Sequence, residues 1–416
     1  MDDRSVIIVG AGLAGLRCAS ALEAREIPWL LLEAQDGPGG RVRTDDVDGF
    51  QLDRGFQVLW TASPEARRTL DYGALDLRLF DPGALIRLPG GFHRVGDPLR
   101  MPGASPSTLR APIGSASDKL RLLRLRRRLR RMPLSEIWRR PERTTREALA
   151  SYGFSSTMVE RFWRPLFAGI QLDPTLSTSS RMFDFVVRML IDGHAALPAR
   201  GIQAIPDQLA AGLSPGRMRY NATVVAVDPS GVWLDDGELI RGQAVVVATD
   251  GPTANRLLPA IPAPDSVSVG CLYFAAERPP VDEPVIVLNG EGTGVITSMC
   301  VPSVAAPTYA PAGLNLVSVT VLTPPADPLT LEGAVRDQLR RWFGRRVDAW
   351  RLLRRYDIRH AQPRQQPPAL ATPQRPIEVD AGVFCCGDHR DNASIDGALS
   401  SGQRAADALV ATFSRV

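Results

Sequence analysis

The residues with the clearest chemical meaning are three glycines and an acid. Gly10, Gly12 and Gly15 follow the apolar run Val6 to Val9 and open a segment rich in alanine and leucine, and Glu33 ends the next apolar run. In a turn from strand to helix, Gly10 permits the tight reversal, Gly12 lets the backbone approach a pyrophosphate, and Gly15 lets the helix pack closely on the strand. The helix N-terminus then faces the phosphates, and an acid about 20 residues further on accepts ribose hydroxyls. That chemistry is dinucleotide binding. The next loop, AQDGPGGRVRT, sets Gly39 and Gly40 beside Arg41, whose guanidinium can lie along a phosphate or a flavin edge.

These groups act together only when a strand, a helix and a second strand hold them, so the start of the chain predicts a Rossmann-like unit. The run from Gly10 to Arg41, continued by GFQLDRGFQVLW (Gly49 to Trp60), resembles the start of the flavin-containing amine oxidase and phytoene desaturase superfamily. The far end, VFCCGDHRDNASIDGALSSGQRAADAL (Val383 to Leu409), resembles the closing flavin-binding segment of the same superfamily. The resemblance implies FAD and not NAD. It implies contacts from Gly10, Gly12, Leu13, Ala14 and Gly15 in the first turn, from Glu33 and Ala34 after the second strand, and from Gly39, Gly40 and Arg41 in the loop. It also implies contacts from Gln57 and Val58, from the Val224 backbone to the adenine, from Gly387 and Asp388 to the ribityl chain, and from the helix start Ile395 to Ala398 to the flavin ring. Some relatives tether FAD through a cysteine upstream of the closing motif. No cysteine lies between Val301 and Phe384, so noncovalent FAD is expected.

At 416 residues the chain exceeds the size at which one core usually stops growing. An α/β protein of two connected domains is expected: a discontinuous Rossmann-like FAD-binding domain from residues 1–75, 197–265 and 376–416, and a substrate domain of mixed sheet plus helical cap (118–190) from residues 76–196 and 266–375. The net charge of +4 is small for this length and argues neither for nor against nucleic acid. No RNA-binding aromatic signature or helix-turn-helix pattern is present, so no nucleic-acid partner is expected. Met1-Asp2-Asp3-Arg4 is acidic and runs straight into the first strand, unlike a secretory or transit peptide. No apolar stretch approaches the ~18 residues of a membrane span. A cytoplasmic protein is expected, peripheral to a membrane at most. Cys18, Cys271, Cys300, Cys385 and Cys386 form no CxxC pair, and no metal site is expected.

Bound FAD would accept a hydride at N5, and the protein would position the donor carbon and exclude water. Typical amine oxidases of the superfamily bridge a lysine through water to that nitrogen. Of the 49 basic residues here one is a lysine, Lys119, inside an arginine-dense helix pattern, which weakens an amine-oxidase reading. Arginine stays protonated and cannot take over as a proton shuttle. The segment Gly153 to Pro206 resembles the part that desaturase-like members use to cap an apolar pocket. Its aromatics Phe154, Phe162, Trp163, Phe167, Phe183 and Phe185 could line a tunnel, although helix-core packing is the favoured reading of each. No catalytic residue stands out, and His389 and Gln57 are weak candidates.

The expected function is desaturation or oxidation of a hydrophobic small molecule by hydride transfer to flavin N5, with oxygen or a quinone as final acceptor. Alternatives are an amine oxidase lacking the usual lysine, a redox-neutral isomerase using reduced FAD, and a nonenzymatic flavoprotein. GEGTGV (Gly290 to Val295) leads into a strand pattern and predicts a hairpin turn, not a second nucleotide site. In DKLRLLRLRRRLRRM (Asp118 to Met132), Leu122, Leu125, Leu129 and Met132 form an apolar stripe amid arginines. Packing of that stripe into the cap is favoured over insertion into a membrane interface, leaving weak membrane-surface contact at most.

Overall fold

The computed structural model describes residues 5–262, 265–322 and 328–414, so Met1 to Arg4 lie outside the described residues. Val6–Val9 is a fully buried apolar run, the pattern of a strand covered on both faces. It pairs in parallel with Trp29–Leu32 on one side and Ala244–Val247 on the other. Met218–Arg219 extends the sheet at one edge, Val383–Cys385 and Glu378–Asp380 at the other, giving six strands from three distant stretches of chain. Side chains alternate across it. Val6, Ile8, Leu31, Val246 and Phe384 join one apolar cluster, while Ile7, Val9, Leu32, Val245 and Cys385 join another on the opposite face.

The helix Leu13–Glu23 and the closing helix Ile395–Phe413 cross on the first of those faces. Gly402 makes that crossing close: a Cβ there would collide with the Ala14 carbonyl. A three-stranded antiparallel sheet, Val224–Asp228, Gly231–Leu234 and Leu239–Arg241, lies over the other face.

A seven-stranded sheet forms the second layer. Its order is Arg351–Pro363, Ser266–Ala276, Asn315–Val321, Ile296–Cys300, Ile286–Asn289, Gly83–Leu88 and Gly91–Gly96, with only Ile286–Asn289 and Gly83–Leu88 parallel. Ile286–Asn289 and Ile296–Cys300 are the antiparallel arms around Gly290 to Val295, which is a hairpin connection. The helical cap begins at Ser105, earlier than residue 118, and its last helix is Ser180–Asp192.

Within the cap the aromatics pack on one another. Ring centroids lie 4.6 Å apart for Phe167 and Phe183, 4.9 Å for Phe162 and Trp163, and 5.3 Å for Trp163 and Phe183. Phe154 adds an edge to Trp163, and Phe185 packs on Trp138. All six are buried and pack as core, the favoured reading of each. The helix Ala116–Arg131 starts with a capping box between Ser115 and Asp118. Leu125, Leu129 and Met132 are buried in the cap and Leu122 packs against them, so this stripe faces inward and is not available to a membrane.

Candidate active site

The first turn is built from backbone. Gly10 sits at φ +107°, in the region that favours glycine, and its N–H donates to the Leu32 carbonyl at 2.7 Å. Gly15 has no room for a side chain, since a Cβ would lie 1.9 Å from the Gly10 carbonyl oxygen. Gly12 differs: its backbone is ordinary (φ −70°), and a Cβ would meet nothing within 4 Å. The space over Gly12 is therefore kept open by the turn, with the start of the helix, Leu13 and Ala14, beside it. Gly40 (φ +59°) borders the same space, because its Cβ would be 3.5 Å from the Gly12 Cα. Gly39 ties its loop to the turn by donating to the Ala11 carbonyl at 2.8 Å.

Glu33 closes the far side. Its carboxylate accepts the N–H groups of Ala11 (2.7 Å) and Gln35 (2.9 Å), so it braces the turn as well as the loop that starts at Ala34. The Glu33 carbonyl accepts the N–H of Ala222, which brings Val224 to the same corner.

Two loops from opposite ends of the chain meet next. Arg41 donates to Asp388 at 2.7 Å and to the Ala361 carbonyl at 2.9 Å. Gln57 donates to the Arg41 carbonyl at 2.9 Å, a bracing position next to Val58. Gly387 (φ +145°) donates to the Ser401 hydroxyl at 2.9 Å, and Ser394 caps the helix start by accepting the Gly397 N–H at 3.0 Å. Ile395 and Ala398 are the first turn of that helix. Hydrogen bonds thus join the first turn to Glu33 and to the Gly39 loop, and Arg41 of that loop to Gln57 and Asp388.

His389 is 3% exposed, with Nε2 3.6 Å from the Cys385 sulfur. Burial depresses its basicity to about 4, so it is neutral at neutral pH. Lys119 donates to the carbonyls of Leu109 and Ala111 at the cap surface. Among the described residues no group of acids, histidines and cysteines is arranged to hold a metal.

Two depressions flank the pair Gln362 and Pro363. One, with room for about one water molecule, includes Arg41, Asp250 and Asp388. The other, equally small, is lined by Ile170, Gln171 and Met182 from the cap, Thr178, Gln365, and Ala393 two residues before the closing helix. Sequence reasoning missed Gln171, Gln362 and Gln365, because an isolated glutamine carries no spacing signal. Asp250 was more accessible: it caps the helix Gly251–Leu257 by accepting the Thr253 N–H, and its DGP run after a buried strand is a helix-start signature.

A model of the family described as flavin containing amine oxidoreductase matches residues 13–410. The chain belongs to this family. The residues present fit the FAD of a flavin-containing family: an open cradle over Gly12 that a Cβ would fill, a helix N-terminus beside it, and an arginine bonded to Asp388. The phytoene dehydrogenase of Streptomyces griseus is 26% identical over 284 residues, covering 61% of this chain and 55% of that protein. A neurosporene-forming phytoene desaturase of Rhodobacter capsulatus is 28% identical over 293 residues, covering 61% of this chain and 54% of that one. The chain thus spans about half the length of the curated relatives it matches. Cyclohexylamine oxidase from Brevibacterium oxydans shares the fold, with a TM-score of 0.73 at 19% identity over 99% of this chain and 100% of that one.

Proposed function

We propose that this protein is an FAD-dependent oxidoreductase and dehydrogenates an uncharged, lipophilic small molecule, with oxygen or a quinone taking the electrons afterwards. The carrying observation is the depression beside Ala393, whose lining has three glutamines, a threonine and apolar groups but no charged side chain. Bound noncovalently, FAD supplies the hydride acceptor at N5. The protein's part is to hold the donor carbon against the cofactor and keep water out. In this reading residues 1–75, 197–265 and 376–416 hold the cofactor, and 76–196 and 266–375 hold the substrate. A cationic amine finds no carboxylate in that lining, and Lys119 is spent on carbonyls at the cap surface. Similarity to phytoene dehydrogenases supports a lipophilic substrate.

The test is an anaerobic screen of the yellow protein for flavin bleaching by polyenes, porphyrinogens and amines. Bleaching by an uncharged compound, with Lys119→Met leaving the rate unchanged, is expected. Bleaching by amines alone, slowed by Lys119→Met, would overturn the reading. A weak contact with an anionic bilayer belongs to the same reading. Leu99, Leu109, Leu120 and Leu123 are exposed around the cap start, with Arg124 and Arg127 exposed beside them. No helix among the described residues is long and apolar enough to cross a membrane.

A further inference from the structure

We propose that Arg100 and His194 form an acid-sensitive latch on the cap, closed while His194 is neutral and opened when its ring takes up a second proton. The inference stands apart from which molecule the protein oxidises. Arg100 lies in a turn closed by the Met101 N–H, which donates to the Asp97 carbonyl at 2.7 Å. Its guanidinium donates to three groups at the end of the last cap helix: the carbonyls of Leu190 at 2.9 Å and Gly193 at 2.7 Å, and Nε2 of His194 at 2.5 Å. Arginine only donates, so Nε2 accepts, and the neutral ring carries its hydrogen on Nδ1, which faces the Phe80 carbonyl at 3.4 Å. A ring turned over would set a carbon against the guanidinium, so the contact itself fixes the orientation. The His194 backbone is held separately: its N–H donates to the Thr61 hydroxyl and its carbonyl accepts the Thr61 N–H, both at 2.9 Å, next to the pairing of Leu59 and Trp60 with Ala196 and Ala195.

A second proton would sit on Nε2 and aim an N–H at a guanidinium that has no lone pair to accept it, with like charges in contact. The acids of the neighbouring elements are committed elsewhere. Asp97, on the same turn, favours the Arg100 charge, but it pairs with Arg126 of the helix Ala116–Arg131, which disfavours it. Asp192 at the helix end pairs with Arg188, and Asp81, next to Phe80, pairs with Arg94. The ring therefore gains its second proton only as Arg100 leaves. The open form binds one proton more than the closed form, so falling pH favours opening and rising pH favours closure. Opening frees the Leu190 and Gly193 carbonyls and the turn that carries the exposed Leu99.

The FAD-loaded protein tests the latch in two ways. In 15N spectra of labelled histidines, the signal lost in His194→Gln should come from a neutral ring protonated at Nδ1. In hydrogen exchange, corrected for the intrinsic pH dependence of the rate, the amides of Arg100, Met101 and Gly193 should lose about tenfold in protection between about pH 7.5 and about pH 5, the interval in which a histidine ordinarily gains its charge. His194→Gln offers Oε1 to Arg100 in place of Nε2 and takes up no proton, so protection should stay high at both pH values. Arg100→Gln should be weakly protected at both. Circular dichroism and FAD content certify each variant as folded. Wild-type protection indifferent to pH, a neutral ring protonated at Nε2, an acid response that survives His194→Gln, or full protection in Arg100→Gln would each overturn the latch, and the first of these is read on unsubstituted protein.

Discussion

The nucleotide corner and the helical cap are built by opposite means. Around Gly10 to Gly15 the shape is set by backbone: Gly15 has no space for a Cβ, Gly10 sits at a φ that favours glycine, Gly12 faces open space, and Glu33 braces the turn through N–H groups. In the cap the shape is set by side-chain volume, with Phe154, Phe162, Trp163, Phe167 and Phe183 filling one another's gaps. A backbone-built site tolerates no change at a few positions. A volume-built region tolerates small changes at many, each at a graded cost.

The sharpest way to break this contrast is within the turn itself. Gly15→Val should give insoluble or largely unfolded protein, because the new Cβ collides with the Gly10 carbonyl and backbone cannot step aside cheaply. Gly12→Val should fold nearly as well as wild type, since its φ is ordinary and its Cβ meets only open space, yet the purified protein should be colourless. Circular dichroism and FAD content measured together separate the two outcomes. A yellow Gly12→Val protein would remove the cofactor from this corner.

In the cap, Phe183→Ala should destabilise by about 3–5 kcal/mol in chemical denaturation, the usual cost of removing a buried aromatic ring. The surviving folded protein should still carry FAD in full proportion. Loss of FAD without loss of stability would mean that the cap ring acts on the cofactor site and would erase the distinction between the two regions.

Beside the seven-stranded sheet lies a buried carboxylate. Asp53 is 2% exposed and accepts from Thr44 (2.7 Å), the Ile202 N–H (3.0 Å) and Tyr309 (3.0 Å), while Tyr273 donates to its carbonyl at 2.9 Å. Burial outweighs those bonds and raises its pKa from 3.8 to about 6. Because the folded value is the higher one, the stabilising contribution is complete below pH 3.8 and is lost as pH rises through about 6. That amounts to roughly 3 kcal/mol for this group alone. Asp396, accepting the N–H groups of Glu65 and Ala66, is raised to about 6 by burial and adds a parallel slope. Asp53→Asn should flatten part of the decline in stability between pH 4 and 7, measured by denaturant midpoints. An unchanged slope would mean that Asp53 is ionised in the folded protein throughout.

Legibility in the sequence followed the same division. The glycines, Glu33 and the Gly387 to Ala398 segment were readable because their conformational demands are local and their order along the chain is constrained by strand, turn and helix. The six cap aromatics were readable as apolar, but helical spacing cannot say whether a ring faces a tunnel or another ring. Gly83–Leu88 and Gly91–Gly96 joined the second sheet through a partner strand, Ile286–Asn289, about two hundred residues away, a pairing that no local pattern announces. Gln171, Gln365 and Ala393 likewise meet only because three separate segments converge, and each alone looks like an ordinary polar or small residue.

The smallest expected effect concerns the outer face of the cap, where packing leaves leucines outside. Lys119 donates to the carbonyls of Leu109 and Ala111, and Arg126 pairs with Asp97, so the segments that carry the exposed Leu99 and Leu109 are tied to this helix. Leu99 and Leu109 are 66% and 68% exposed, so the apolar face that a membrane could meet is this one and not the buried Leu125 stripe. Each nearby arginine adds about 1 kcal/mol of attraction to an anionic surface at low salt, but a chain of net charge +4 offers no large field behind them. Partial sedimentation with liposomes rich in anionic lipid is therefore expected at low salt, and little at physiological salt, where the screening length is about 8 Å. Leu120→Ser/Leu123→Ser should reduce it several-fold without altering FAD content or unfolding, and Arg124→Glu/Arg127→Glu should abolish it. Sedimentation indifferent to both double substitutions would place the contact elsewhere, and no sedimentation at any salt would leave the substrate to arrive through water.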